Sequence, residues 1–159
     1  RSGMKRLLIT YVSAYGYTAE MARLIAAGAS KVKGVEVEVM DIEKADIGEM
    51  DSKLTIADGV IVGSPTINQN TLLPVYKLAA VVSPLRDRGK LAGSFGSYGW
   101  SGEAPGLIAG MLRNLKLNYY GEPVAYKFIP EKSKEQSLLE YGERFAQKLT
   151  EESVTEQAS

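Results

Sequence analysis

Five short apolar runs recur along the chain, separated by longer segments in which apolar residues return at every third or fourth position. The runs are Lys5 to Tyr11, Val35 to Asp41, Gly59 to Gly63, Leu91 to Gly96 and Tyr119 to Lys127, each rich in β-branched or large apolar residues. Their length and their apolar or β-branched content predict strands. The spacing between them predicts helices over Thr18–Lys33, Leu73–Ser83, Gly102–Asn114 and Ser133–Thr150, with a short one over Asp46–Ser52. In the first helix Met21, Leu24, Ile25, Gly28 and Val32 fall on one face, which must lie against the sheet. Alternating strands and helices give parallel βαβ units with right-handed crossovers. The expected fold class is therefore α/β, a three-layer sandwich around a five-stranded parallel sheet of order 2-1-3-4-5. Such a sheet binds ligands beyond its carboxyl edge, at the switch point between strands 1 and 3.

A chain of 159 residues with 45% hydrophobic content suits one domain with a substantial core. That domain is expected over residues 4–150. Arg1-Ser2-Gly3 ahead of Met4 reads as an expression remnant, and Glu151 to Ser159 as a polar, frayed tail. Nineteen basic residues balance nineteen acidic ones, so the positive footprint of a nucleic-acid binder is missing. There is no cysteine, which excludes disulfides, thiol catalysis and thiolate metal sites and suits a reducing cytoplasm. There is no histidine either, so imidazole ligation and imidazole acid–base catalysis are excluded. Chemistry beyond carboxylate or lysine work then requires a bound cofactor. No apolar run reaches the roughly 20 residues of a membrane span and no signal peptide is visible, so a soluble cytoplasmic domain is expected.

Three loops after strands carry candidate chemistry. Ser13-Ala14-Tyr15-Gly16-Tyr17-Thr18 joins the first strand to the first helix, with hydroxyls at both ends and a glycine in the turn. Backbone N–H groups at a helix N-terminus, with Ser13 and Thr18 as further donors, can cradle a phosphate; Thr18 as a simple N-cap is the plainer alternative. Neither Gly-x-x-x-x-Gly-Lys-Ser/Thr nor Gly-x-Gly-x-x-Gly is present, so a triphosphate P-loop and a dinucleotide fold are both excluded here. Ser64-Pro65-Thr66-Ile67-Asn68 follows the third strand, stiffened by Pro65; a plain strand-to-helix connection is its alternative. Gly96-Ser97-Tyr98-Gly99-Trp100-Ser101-Gly102 follows the fourth strand, contains the single tryptophan and spaces glycines around two aromatics. Glycine permits close backbone approach while Tyr98 and Trp100 offer flat faces, which suits a planar cofactor.

Together, Ser-x-x-Gly-x-Thr, Ser-Pro-Thr-x-Asn and Gly-Ser-Tyr-Gly-Trp-Ser-Gly resemble the flavodoxin-like domain of flavodiiron proteins, also called A-type flavoproteins. The first loop is shared by flavodoxins in general, whereas the third, continued by Glu103-Ala104, looks particular to the flavodiiron branch. The resemblance spans Met4 to Lys148. It implies an FMN cofactor, with Ser13, Ala14, Tyr15, Gly16, Tyr17 and Thr18 at the phosphate. Pro65, Thr66, Ile67 and Asn68, and Ser97, Tyr98, Gly99, Trp100 and Gly102, would then surround the isoalloxazine, with Trp100 or Tyr98 packed on the ring. Ile67 departs from the aromatic residue that many family members carry there, and Gln69-Asn70 from asparagine and glycine.

The resemblance further implies that electrons pass through FMN to a non-haem diiron centre that reduces oxygen or nitric oxide. That centre belongs to a metallo-β-lactamase-like domain with histidine and carboxylate ligands, which this histidine-free chain lacks; the chain reads as an excised module. In the family the diiron domain comes from a partner subunit in a head-to-tail dimer, and a reductase or reductase domain donates the electrons. No residue of this chain is expected to be catalytic or to hold a metal, and the domain is not expected to be catalytic alone. Two alternatives share the fold: an NAD(P)H-dependent quinone reductase, and a flavin-free structural or receiver-like module. The receiver reading lacks acidic residues at the ends of strands 1 and 3, which read Tyr11-Val12-Ser13 and Gly63-Ser64-Pro65.

Overall fold

A computed structural model describes residues 4–11, 17–63, 87, 89–98, 113, 117–120, 124–127 and 132–158. Its strands are β1 (Lys5–Tyr11), β2 (Val35–Asp41), β3 (Gly59–Gly63), β4 (Leu91–Tyr98), β5 (Asn118–Tyr119) and β6 (Val124–Lys127). The helices are α1 (Tyr17–Ala29), α2 (Ile47–Ile56) and α3 (Lys132–Ala158). All strand pairs are parallel, in the order β2-β1-β3-β4-β5, with β6 also on β4. The expected 2-1-3-4-5 sheet is thus present. The expected helices Leu73–Ser83 and Gly102–Asn114 lie outside the described residues, apart from Arg113, which is helical.

The fifth strand position differs from the single run expected over Tyr119–Lys127. Between its pairings with β4, the chain advances from Tyr119 to Val124, five residues, while β4 advances three, from Ala92 to Phe95. Two residues are in excess, and Pro123 offers no N–H to a ladder, so the run divides into β5 and β6. Because the excess is even, residues on either side of the break keep the same facing relative to β4.

Helix ends also follow local chemistry. Asp46 caps α2, its Oδ1 accepting from the Glu49 N–H at 2.7 Å, so the helix starts one residue after the expected Asp46 and runs on to Ile56. Helix α1 stops at Ala29 instead of Lys33: the Val32 N–H donates back to the Ala29 carbonyl, and Gly34 takes a left-handed φ of 88° ahead of β2. At the other extreme, α3 continues through the segment read as a frayed tail and ends at Ala158. No glycine or proline occurs after Thr150 to stop it.

Side-chain alternation along the strands divides the core between the two sheet faces. One face gathers Leu8, Val60, Val62 and Ala92 under Met50 and Leu54 of α2. The other gathers Leu7, Ile9, Ile61, Leu91 and Phe95 under α1 and α3. On α3 the buried positions Leu138, Tyr141, Phe145 and Leu149 recur at helical spacing, and on α1 Met21, Leu24 and Ile25 are buried as expected. These two helices meet backbone to backbone. A Cβ on Gly28 would stand 1.9 Å from the Leu139 carbonyl oxygen, and one on Gly142 would stand 2.0 Å from the Ile25 carbonyl oxygen. At the start of β4, buried Asp87 pairs with the Lys90 ammonium at 2.7 Å, and the same ammonium donates to the Leu54 carbonyl near the end of α2.

Among the described residues one buried polar group is left over. The Tyr141 hydroxyl finds no hydrogen-bond partner and sits where a Cβ on Gly93 would be, 2.1 Å away. Burial, reinforced by Tyr119 and Tyr120 and opposed by Arg144, pushes its phenol well above the ordinary tyrosine range.

Gly142→Ala should therefore cost about 2–3 kcal/mol or more in urea unfolding, because the new methyl meets main chain that cannot rotate away. Tyr141→Phe should be neutral or stabilising by about 1 kcal/mol, since it removes an unmatched hydroxyl without changing the ring. The native phenol stays protonated where the unfolded one ionises, so the wild-type chain loses stability as pH rises above 10, the unperturbed tyrosine value. In Tyr141→Phe that alkaline slope should be shallower, as read from unfolding midpoints across pH 8 to 11.

Candidate functional site

The sheet order reverses direction between β1 and β3: β2 lies on one side of β1, and β3 followed by β4 on the other. In sheets of this order a reversal between neighbouring strands is where ligand crevices form, beyond the strand carboxyl ends. The ends of the three strands that carry the candidate loops stand side by side. Tyr11, the last residue of β1, pairs with Gly63, the last of β3, and Gly63 pairs with Phe95 of β4. Strand β4 then continues three residues further, through Gly96, Ser97 and Tyr98, paired among the described residues with β6. The topology thus brings the starts of all three candidate loops to one stretch of the carboxyl edge, about 10 Å wide at ordinary strand spacing.

Of the residues expected to bind a cofactor, Ser13, Ala14, Tyr15, Gly16, Pro65, Thr66, Ile67, Asn68, Gly99, Trp100 and Gly102 lie outside the described residues. Tyr17 and Thr18 open α1, and Ser97 and Tyr98 close β4. Helix α1 begins six residues beyond the end of β1, so its N-terminus, with free N–H groups and the positive end of its dipole, follows directly on the first loop.

Two residues at this edge were not singled out by their sequence alone. Tyr11 is half-buried, packed against the α1/α3 side of the core, and both its burial and the Asp41 carboxylate across from it raise its phenol above the ordinary range. It stays neutral. Gly63 is the second: a Cβ there would lie 2.2 Å from Cζ of Phe95, whose ring is fully buried. Its signal was legible in principle, since glycine inside or at the end of a buried strand marks a close approach.

At the opposite, amino edge a groove of about 420 Å³ is lined by Arg6, Glu36, Glu38, Lys53 and Ile56. Arg6 pairs with Glu36 at 3.3 Å and Lys53 pairs with Glu38 at 2.5 Å, so its charges are matched internally. The candidate site is therefore sought at the carboxyl edge, where the switch point and the three candidate loops coincide. Among the described residues no helix is long and apolar enough to cross a membrane.

Comparison with known proteins identifies the family. The flavodoxin family model matches residues 9–142. A type A flavoprotein, fprA, of Rhodobacter capsulatus is 38% identical over 146 residues, which cover 92% of this chain and 34% of that protein. Among solved structures, rubredoxin oxygen:oxidoreductase from the anaerobe Desulfovibrio gigas superposes with a TM-score of 0.82 at 29% identity, over 92% of this chain and 37% of that one. A flavodoxin from the domain Archaea superposes with a TM-score of 0.74 at 30% identity, over 91% of this chain and 98% of its own. The chain spans about a third of the length of the curated relatives it matches first. Flavodoxin-like domains and their flavoprotein relatives bind FMN.

Adding FMN to the isotope-labelled domain should shift the amide resonances of Tyr11, Gly63 and Phe95 through Tyr98 and leave those of Lys5, Gly59 and Leu91 in place. Shifts concentrated at the latter group would put the ligand in the Arg6–Lys53 groove instead.

Proposed function

The chain belongs to the flavodoxin family, and we propose that it is the FMN-binding electron-transfer domain of a flavodiiron protein. It would hand electrons to a diiron centre carried by another domain of the parent, where oxygen or nitric oxide is reduced. The observation that carries this reading is a disparity of length. The match to the type A flavoprotein takes up 92% of this chain but only 34% of the relative, so what is shared is one module of a larger redox protein. The third loop, Gly-Ser-Tyr-Gly-Trp-Ser-Gly, points the same way.

Bound FMN would supply reversible electron transfer, which a chain without cysteine or histidine cannot supply from its own side chains. The protein's part is to hold and orient. Ser13, Ala14, Tyr15, Gly16, Tyr17 and Thr18 would take the phosphate; the N-terminus of α1 at Tyr17 supports this, since it favours an anion by about 0.3–1 kcal/mol. Pro65, Thr66, Ile67 and Asn68 on one side, and Ser97, Tyr98, Gly99, Trp100 and Gly102 on the other, would enclose the ring. The adjacency of the ends of β1, β3 and β4 supports that grouping.

The partner in this reading is a diiron domain of the metallo-β-lactamase-like kind, on the partner subunit of a head-to-tail dimer, with a reductase or reductase domain as the electron donor.

Titration of the purified chain with FMN should show stoichiometric binding in the visible spectrum, with strong quenching of Trp100, the single tryptophan. Trp100→Ala should weaken binding or shift the flavin potential. No binding at FMN concentrations on the order of tens of micromolar would sink the cofactor reading and leave a flavin-free module. Rapid quinone reduction with NADPH by the loaded chain would favour the reductase alternative.

A further inference from the structure

Gly63 is needed for its missing side chain, not for its backbone angle: the left-handed glycines among the described residues are Gly34 and Gly89. The space a Cβ would occupy is filled by the ring of Phe95, whose Cζ, Cε2 and Cε1 would lie 2.2, 2.4 and 2.5 Å from it. This is a rigid ring approached along one edge, not the loose end of a flexible chain. Phe95 is 0% exposed, so the ring cannot swing into solvent. Its strand cannot retreat either, because β4 at Phe95 is bonded to Gly63 on one side and Val124 on the other. Gly63, by contrast, is the last residue of β3 and the last paired one among the described residues, and the second candidate loop begins at the next position in sequence. Any strain between the two must therefore be relieved by lifting the end of β3.

From this the geometry points to Phe95 as a positioning residue. Its ring, seated on Gly63, sets the height at which the 64–68 loop leaves the sheet, relative to the third loop into which β4 itself continues. The two loops that would flank the flavin are thereby indexed to one buried contact. Phe95 need not touch the cofactor. The inference rests on the FMN reading above and adds to it the element that fixes the spacing of the two ring-binding loops.

Three variants test it: Gly63→Ala, Phe95→Leu and the two combined, each examined for FMN dissociation constant, midpoint potential of the bound flavin and thermal unfolding of the apoprotein. Gly63→Ala should bind FMN about ten-fold or more weakly and at a shifted potential, since displacement of a positioned group by about 1 Å has effects of this order. Phe95→Leu frees space at the clash, so the double variant should recover much of the loss. Alone, Phe95→Leu leaves β3 without its stop and should also weaken FMN and move the potential; should Gly63→Ala not fold, this variant decides. Variants that lose thermal stability yet keep wild-type affinity and potential would overturn the inference and leave Phe95 an ordinary core residue. Failure of the wild-type chain itself to bind FMN would instead strike at the functional reading, and the inference would fall with it.

Discussion

Everything at the carboxyl edge depends on how β3 and β4 fit each other on the face beneath α1 and α3. Their register pairs Gly59 with Leu91, Ile61 with Gly93 and Gly63 with Phe95, so each large residue faces a glycine on the neighbouring strand. The room left by the glycines is taken up from above and from the side. Phe145 and Leu149 lie over Gly59, Tyr141 and Phe145 over Gly93, and Phe95 over Gly63. A slip of two residues would keep the faces but set Ile61 beside Leu91 or Phe95, and would leave facing glycines with a void. The interlock thus selects one register among those that hydrophobic alternation alone would allow. With the register goes the distance by which β4 outruns β3.

The same economy of side chains lets α3 approach. Gly28 and Gly142 bring α1 and α3 into main-chain contact, and only at that separation do Tyr141 and Phe145 reach the glycines of β3 and β4. The layers are coupled: sheet glycines receive helix aromatics, and helix glycines allow the helices that carry them to close. Tyr120 meets Phe145 edge to face at 5.9 Å, which ties the start of the divided fifth strand position to the same cluster. The Tyr141 hydroxyl is the cost of this arrangement, buried without a partner among the described residues for the sake of the ring that bears it.

Much of this was legible from pattern. Strands β1, β2 and β3 were delimited to the residue, because each is a short run of strand length rich in apolar residues, and the sheet order followed from parallel crossovers. What pattern reading missed has physical causes. β4 runs two residues past the expected Gly96 because β6 offers it a partner there, a tertiary fact with no local signal. The division of the fifth strand turned on two surplus residues, visible only once Ala92 and Phe95 were matched with Tyr119 and Val124. Gly59 and Gly93 read as neutral members of apolar runs, although their meaning lies in which large residue stands opposite each. The candidate site was legible as motifs and by topology; the described structure adds where its loops depart from the sheet.

The two edges of the sheet meet different demands. At the amino edge the charges of Arg6, Glu36, Glu38 and Lys53, and of Asp87 and Lys90, are matched within the domain. At the carboxyl edge the row Asp41, Tyr11, Gly63, Phe95 holds one charged side chain among the described residues, Asp41, which together with burial keeps the Tyr11 phenol neutral. With its described carboxylate on the β2 side of the row, the stretch from β1 to β4 offers backbone and apolar contacts, so a group bound there would take its electrostatics from the loops: helix N-terminal amides for an anion, aromatic faces for a ring.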